Sequence, residues 1–169
     1  MFDKTITPMK RLSIKPVLFL ASLLSLFITS NIKAQDLQAA IRLTKSEQYD
    51  EAEAAFKELI KNEPTVSKNY FYFGETYLLS YFADTISNSL KISSDQAKEM
   101  YELGVKADSL NPLNYVGLAK AYFFLGKDQE AANYRAKAKK QLPTYKKIKN
   151  IVNPKDYAFA LAKLAESYV

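Results

Sequence analysis

Residues 111–131 read NPLNYVGLAKAYFFLGKDQEA. Tyr115, Leu118 and Tyr122 recur at i, i+3 and i+7, one face of a helix that Asn111 can cap and Pro112 can open. Ala119 and Ala131 stand twelve positions apart, on either side of a turn at Gly126. Small residues there let two helix backbones approach, while the two tyrosines and the leucine fill the space around the contact. The stretch therefore predicts two antiparallel helices joined by a short turn.

Outward from this pair the same pattern returns. In DEAEAAFKELIKNEP, residues 50–64, Ala52, Ala55, Phe56, Leu59 and Ile60 form one apolar helical face. Asp50 with Glu53 offers a start signal and Pro64 a stop. Ser93 with Gln96, Asn111-Pro112 and Asn153-Pro154 are further start signals. Helices are predicted over 36–47, 50–62, 67–80, 94–108, 113–125, 128–141 and 154–168. No segment alternates with period two, so the fold class is all-α. Ala40 and Ala52 repeat the twelve-residue interval, with Tyr49, Phe56 and Pro64 in step. A middle copy has Tyr70, Phe73, Gly74 and Tyr77, then Ala97 and Tyr101. Its interval from Gly74 to Ala97 is 23, which implies an insertion of 11 residues at 81–94.

The segment from Pro112 to Pro143 resembles the tetratricopeptide repeat, whose 34-residue unit follows W-x2-L-G-x2-Y…A-x3-F…P. Tyr115, Leu118, Ala119, Tyr122, Gly126, Ala131, Ala138 and Pro143 carry the match. Arg135 departs from it, standing where the second helix usually has Phe, and Tyr134 or the arginine stem is expected to fill that volume. The resemblance covers 36–168 and implies a short solenoid of about three and a half stacked hairpins: repeats at 36–64, 67–111 and 112–143, then a terminal helix at 154–168. Leu161, Leu164, Ala165 and Tyr168 follow the first-helix spacing in that last helix. Phe159, Ala162 and Val169 give it a second apolar edge, which calls for a partner surface or more chain than a simple cap.

The first 34 residues read as a signal peptide. Lys10, Arg11 and Lys15 precede the apolar run 17–28, and SNIKA ends on the small residue Ala34. Twelve apolar residues fall short of the ~20 needed to span a bilayer. Cleavage after Ala34 would leave a domain of 35–169 with 19 basic and 17 acidic side chains, net +2. The AQ junction and the Lys-, Asn- and Tyr-rich composition look like exported proteins of the Bacteroidetes group, so a periplasmic or secreted location is expected. Residues 35–119 carry 8 basic and 13 acidic side chains, against 11 and 4 over 120–169. One end of the molecule should be acidic and the other basic. No cysteine is present, so the core alone must hold the fold, and no lipobox anchor is available.

Catalysis finds little support, because the chain has no histidine or cysteine and so lacks the usual general base, thiol nucleophile and zinc ligands. Gly74, Gly104, Gly117 and Gly126 form no phosphate-cradling loop. No cofactor, metal or nucleic acid is expected. The repeat resemblance implies a non-catalytic protein-binding scaffold, whose concave groove takes a peptide or partner helix. Carried over residue by residue, that groove comprises Leu37 and Ile41, then Phe71, Tyr72, Glu75 and Leu78, then Val116, Lys120, Phe123 and Phe124. Aromatic residues at helical spacing are more often core, which competes with this reading for Phe71, Phe123 and Phe124. A fully buried aromatic contributes about 1.5–3 kcal/mol, against about 4–15 kcal/mol for association, so a few would support only a weak contact. Lys68 and Lys120 lie near the positions of the family's carboxylate clamp, but Phe71 and Glu75 replace its asparagines, so no clamp is predicted. The basic run Arg135, Lys137, Lys139, Lys140, Lys146, Lys147 and Lys149 is a second candidate, for an anionic or envelope surface, against the plainer reading of a solvated helix face. Two alternatives stay open: the N-terminal arm of a larger envelope protein, and an envelope-surface or carbohydrate-binding module.

Overall fold

The computed structural model describes residues 36–148 and 154–168; the predicted signal peptide lies outside them. The described residues form seven helices and no strand. These are α1 (36–45), α2 (Tyr49–Asn62), α3 (Ser67–Ala83), α4 (Leu90–Ala107), α5 (Pro112–Phe124), α6 (Asp128–Ile148) and α7 (Pro154–Glu166). Each helix from α2 onward packs on the next, α3 also packs on α5, and α5 on α7. A hydroxyl bridge from Thr44 to Thr76, 2.9 Å, joins α1 to α3. Among the described residues, α2, α4 and α6 make no comparable contact with one another. Odd helices that touch and even helices that splay curve the array, with the odd helices lining the inner face.

Small residues set the close contacts, as the twelve-residue intervals require. Ala40, Ala52, Ala97, Ala119 and Ala131 have no exposed surface. Ala40, Phe56, Leu59 and Phe73 centre one apolar cluster at the first joint. A second cluster runs from Phe71 and Tyr101 through Leu118 to Leu164. The Tyr101 ring fills the space facing Gly74 on α3 and Gly117 on α5, and a methyl at either glycine would sit inside that ring. At the start of α5, Asn111 accepts from the Leu113 amide at 3.0 Å, the predicted cap. Its Nδ2 donates to Ser67 Oγ at 2.9 Å, and Asn114 Nδ2 donates to the Ser67 carbonyl at 3.1 Å. All three residues are buried, so the starts of α3 and α5 are clasped by polar groups within a dry contact.

Several boundaries depart from the sequence reading. The 81–94 insertion is mostly helix: α3 runs on to Ala83 and α4 begins at Leu90, which leaves a connection over 84–89. Asp84 turns that connection by accepting from the amides of Ile86 and Ser87 at 3.1 and 3.0 Å. Those bonds hold its carboxyl below the usual carboxylate value, the Ser87 amide first. Ser93 is therefore not a cap; it lies one turn inside α4, buried, with its amide on the Ser89 carbonyl. Asp50 is not a cap either. It lies in the first turn of α2 after Gln48, where its charge favours the helix N-terminus. Finally, α6 runs through Pro143 to Ile148. A proline forfeits one amide bond within a helix, and the lysines on both sides are good helix formers.

Candidate functional site

The inner face has two parallel stripes. On α3, Tyr72, Glu75, Leu79 and Phe82 follow the i, i+3, i+7 and i+10 spacing of one helix side, and on α5 Val116, Lys120 and Phe123 stand at i, i+4 and i+7. Lys120 Nζ reaches both carboxylate oxygens of Glu75 at 2.9 Å, which locks the stripes side by side. The Tyr101 hydroxyl donates to Glu75 Oε1 at 2.8 Å from below. Burial first, then the Glu75 charge, raises the Tyr101 phenol well above its ordinary value. A carboxylate with a doubly placed ammonium and a phenol is a structural tie, and its oxygens are already engaged.

Exposure rises along both stripes toward the C-terminal ends of α3 and α5. Tyr72 is half-buried, Leu79 is 45% exposed and Phe82 53%; Val116 is buried and Phe123 is 51% exposed. The covered end owes its burial to α7. Phe159 stacks on Tyr72 with ring centroids 6.1 Å apart and meets Phe71 edge-on at 6.3 Å. Lys68 on α3 pairs with Asp156 on α7 at 3.1 Å. Burial, then Asp156 and Glu75, raise the Tyr72 phenol. Between α1, α3 and α7 a slot of about 370 Å3 remains, with Ile41, Tyr72, Leu79 and Phe159 among its walls.

The predicted groove residues thus divide. Phe71, Leu78 and Val116 are core residues. Their apolar side chains fill the joints between hairpins, the competing reading that the sequence already allowed. Leu37 and Ile41 are half-buried against the first cluster. Phe124 is half-buried on Phe82, with ring centroids at 5.4 Å. Tyr72, Glu75, Lys120 and Phe123 lie on the two stripes of the inner face. Both lysines considered for a carboxylate clamp are engaged within the chain, Lys68 with Asp156 and Lys120 with Glu75.

Among the described residues, the side chains of the basic run divide between two settings. Arg135 turns to α7, donating to the Ser167 carbonyl at 3.0 Å and lying over the Tyr168 ring. Its neighbour Tyr134 stacks on Tyr122 with ring centroids 5.2 Å apart. Lys137, Lys139 and Lys140 are exposed, Lys137 over the Tyr134 ring at 4.5 Å. Lys146, Lys147 and Lys149 lie outside the described side chains, as does Val169. Leu79, Phe82, Phe159 and Lys45 were missed as groove residues. Leu79 and Phe82 continue the helical spacing of Tyr72 and Glu75, and Phe159 belongs to the second apolar edge of the last helix, so these three carried a signal; Lys45 carried none.

Among the described residues no three His, Cys, Asp or Glu side chains gather into a metal-holding group, and no helix is long and apolar enough to cross a membrane. No family model and no curated protein matches the chain. Among solved structures it is similar to the Yersinia enterocolitica type III secretion translocator chaperone SycD, in an alternative dimer, with a TM-score of 0.57 and 18% identity over 83% of this chain and 95% of that one. At that identity the likeness concerns the fold, a helical-repeat array.

Proposed function

We propose that this chain is a non-catalytic scaffold of the bacterial periplasm or envelope that binds a peptide or partner helix along its inner face. The observation that carries the reading is the run of exposed apolar side chains Leu79, Phe82 and Phe123 on a concave surface whose other end is already covered. Scattered exposed apolar residues are ordinary on a protein surface, whereas aligned ones in a groove suit a partner. The fold supports the reading, since the similar structure is of a protein named as a chaperone. The resemblance of the first 34 residues to a signal peptide supports the location.

Crosslinking affinity capture from envelope extract tests it, comparing the native chain with a Leu79→Ser, Phe123→Ser variant of unchanged helicity. A protein captured by the native form and lost with the variant is the expected result. Equal capture by both forms would remove function from the groove. Binding that survives the variant but vanishes in salt would favour contact through the exposed lysines of α6 with an envelope surface.

A further inference from the structure

The slot between α1, α3 and α7 has a chemistry more specific than a generic apolar groove. Its walls include Ile41, Phe71, Tyr72, Leu79 and Phe159, so it suits a bulky apolar side chain. A volume of about 370 Å3 lies at the lower end of the ~300–1,000 Å3 typical of ligand pockets. Its charged residues are Lys45, Lys163 and Glu75. Glu75 is unavailable, with both oxygens on Lys120 and one also on Tyr101. Lys163 is half-buried and shared with the exposed Glu166 at 2.6 Å. Lys45 is exposed and carries no ion pair among the described residues. An occupant therefore meets apolar walls and an unneutralised cation at the rim, and no free carboxylate.

The length of the occupant follows from Leu79. That side chain belongs both to the slot and to the exposed stripe leading to Phe82. A small molecule confined to the slot would leave the stripe wet, whereas an extended chain covers both. Resting on the groove reading above, we infer that the slot receives an extended segment of another protein, with a bulky apolar side chain seated beside Phe159 and an adjacent acidic residue on Lys45. In this arrangement α7 is a wall of the site and not a plug in it.

Fluorescence anisotropy on the full chain tests this with three labelled 12-residue peptides: a central Phe-Leu pair flanked by Asp and Glu, the same pair flanked by Lys, and the acidic flanks around Ala-Ala. The acidic Phe-Leu peptide binds tightest, and added salt weakens it. Lys45→Glu, at an exposed position, weakens it about two- to fivefold, as loss of one surface ion pair does, and narrows its margin over the Lys-flanked peptide. Phe159→Ala, with helicity verified, weakens it as well. Tighter binding to Phe159→Ala would make α7 a competitor and overturn the inference, as would preference for the Lys-flanked peptide. A partner captured through Leu79 and Phe123, with none of these peptides bound, would overturn the slot assignment and leave the groove reading standing.

Discussion

Phe56, Tyr101 and Arg135 occupy one position in three successive second helices, each four residues after a fully buried alanine. The joints they make differ. Tyr101 is wholly buried between α3 and α5, faces two glycines and ties down Glu75. Arg135 is half-buried and reaches α7 through one carbonyl and one exposed ring. Apolar contacts through Ala138, Leu142, Ala160 and Leu164 also hold α7, as do Phe159 on Tyr72 and the Lys68–Asp156 pair. The same place in the repeat thus supplies a packed aromatic at the centre and a polar strap at the end. Arrays of this kind draw their stability from nearest-neighbour interfaces, so a weaker joint is free to open without its neighbours.

Tyr101→Ala is the strongest way to break this contrast. It should cost about 3–5 kcal/mol, as for other large aromatic truncations in a core, read as a fall in the urea midpoint. The buried phenol should also make the centre alkali-sensitive. Its folded value lies above the unfolded one near 10, so the stability it lends is complete below pH 10 and is lost as pH rises toward the folded value. A stability–pH curve falling above pH 10, with a shallower fall in Tyr101→Phe, is the expected result.

Gly117→Ala comes next, since the added methyl must displace the ring; overpacking costs about 1–3 kcal/mol, and a smaller side chain at 101 in the double variant should recover part of it. Lys120→Met leaves Glu75 held only by the Tyr101 phenol, and a loss of about 1–2 kcal/mol is expected for a partly buried acceptor deprived of its charged donor. Arg135→Ala should be the mildest, about 1 kcal/mol or less. Its effect should appear as faster amide hydrogen exchange in α7, with the exchange of α3–α5 unchanged. Equal global destabilisation by Arg135→Ala and Tyr101→Ala would show that the array has no weak end.

The helical pairing was legible because it is written in local spacing. Ala119 and Ala131, or Ala40 and Ala52, sit at an interval that one hairpin imposes. The stretch 81–94 reads as a gap between the helices predicted over 67–80 and 94–108, because a repeat interval counts extra residues without showing which of them are helical. The structure instead continues α3 and starts α4 early, and only Asp84 acts as a turn residue. The site was half legible for a related reason. Helical period shows which residues share a side but not what covers them, and Phe71 and Phe82 on the same helix end at 1% and 53% exposure. Phe71 meets Tyr101 from the next helix and Phe159 from α7, the latter a return that also joins residues 88 positions apart in the Lys68–Asp156 pair. Arg135 announced its departure from the repeat pattern, yet only the fold reveals that it reaches forward to the next helix.

The clasp of Ser67 with Asn111 and Asn114 has a mechanical meaning. Alkyl side chains can slide past one another by small steps, trading one contact for the next. Two side-chain hydrogen bonds in a dry interface cannot, because a shift of one residue leaves their donors facing groups that do not accept. Pulled from its ends, the array should therefore behave as a brittle middle in series with a compliant tail: α7 peels away at low force, and α3 and α5 hold their register until they shear apart in one abrupt event.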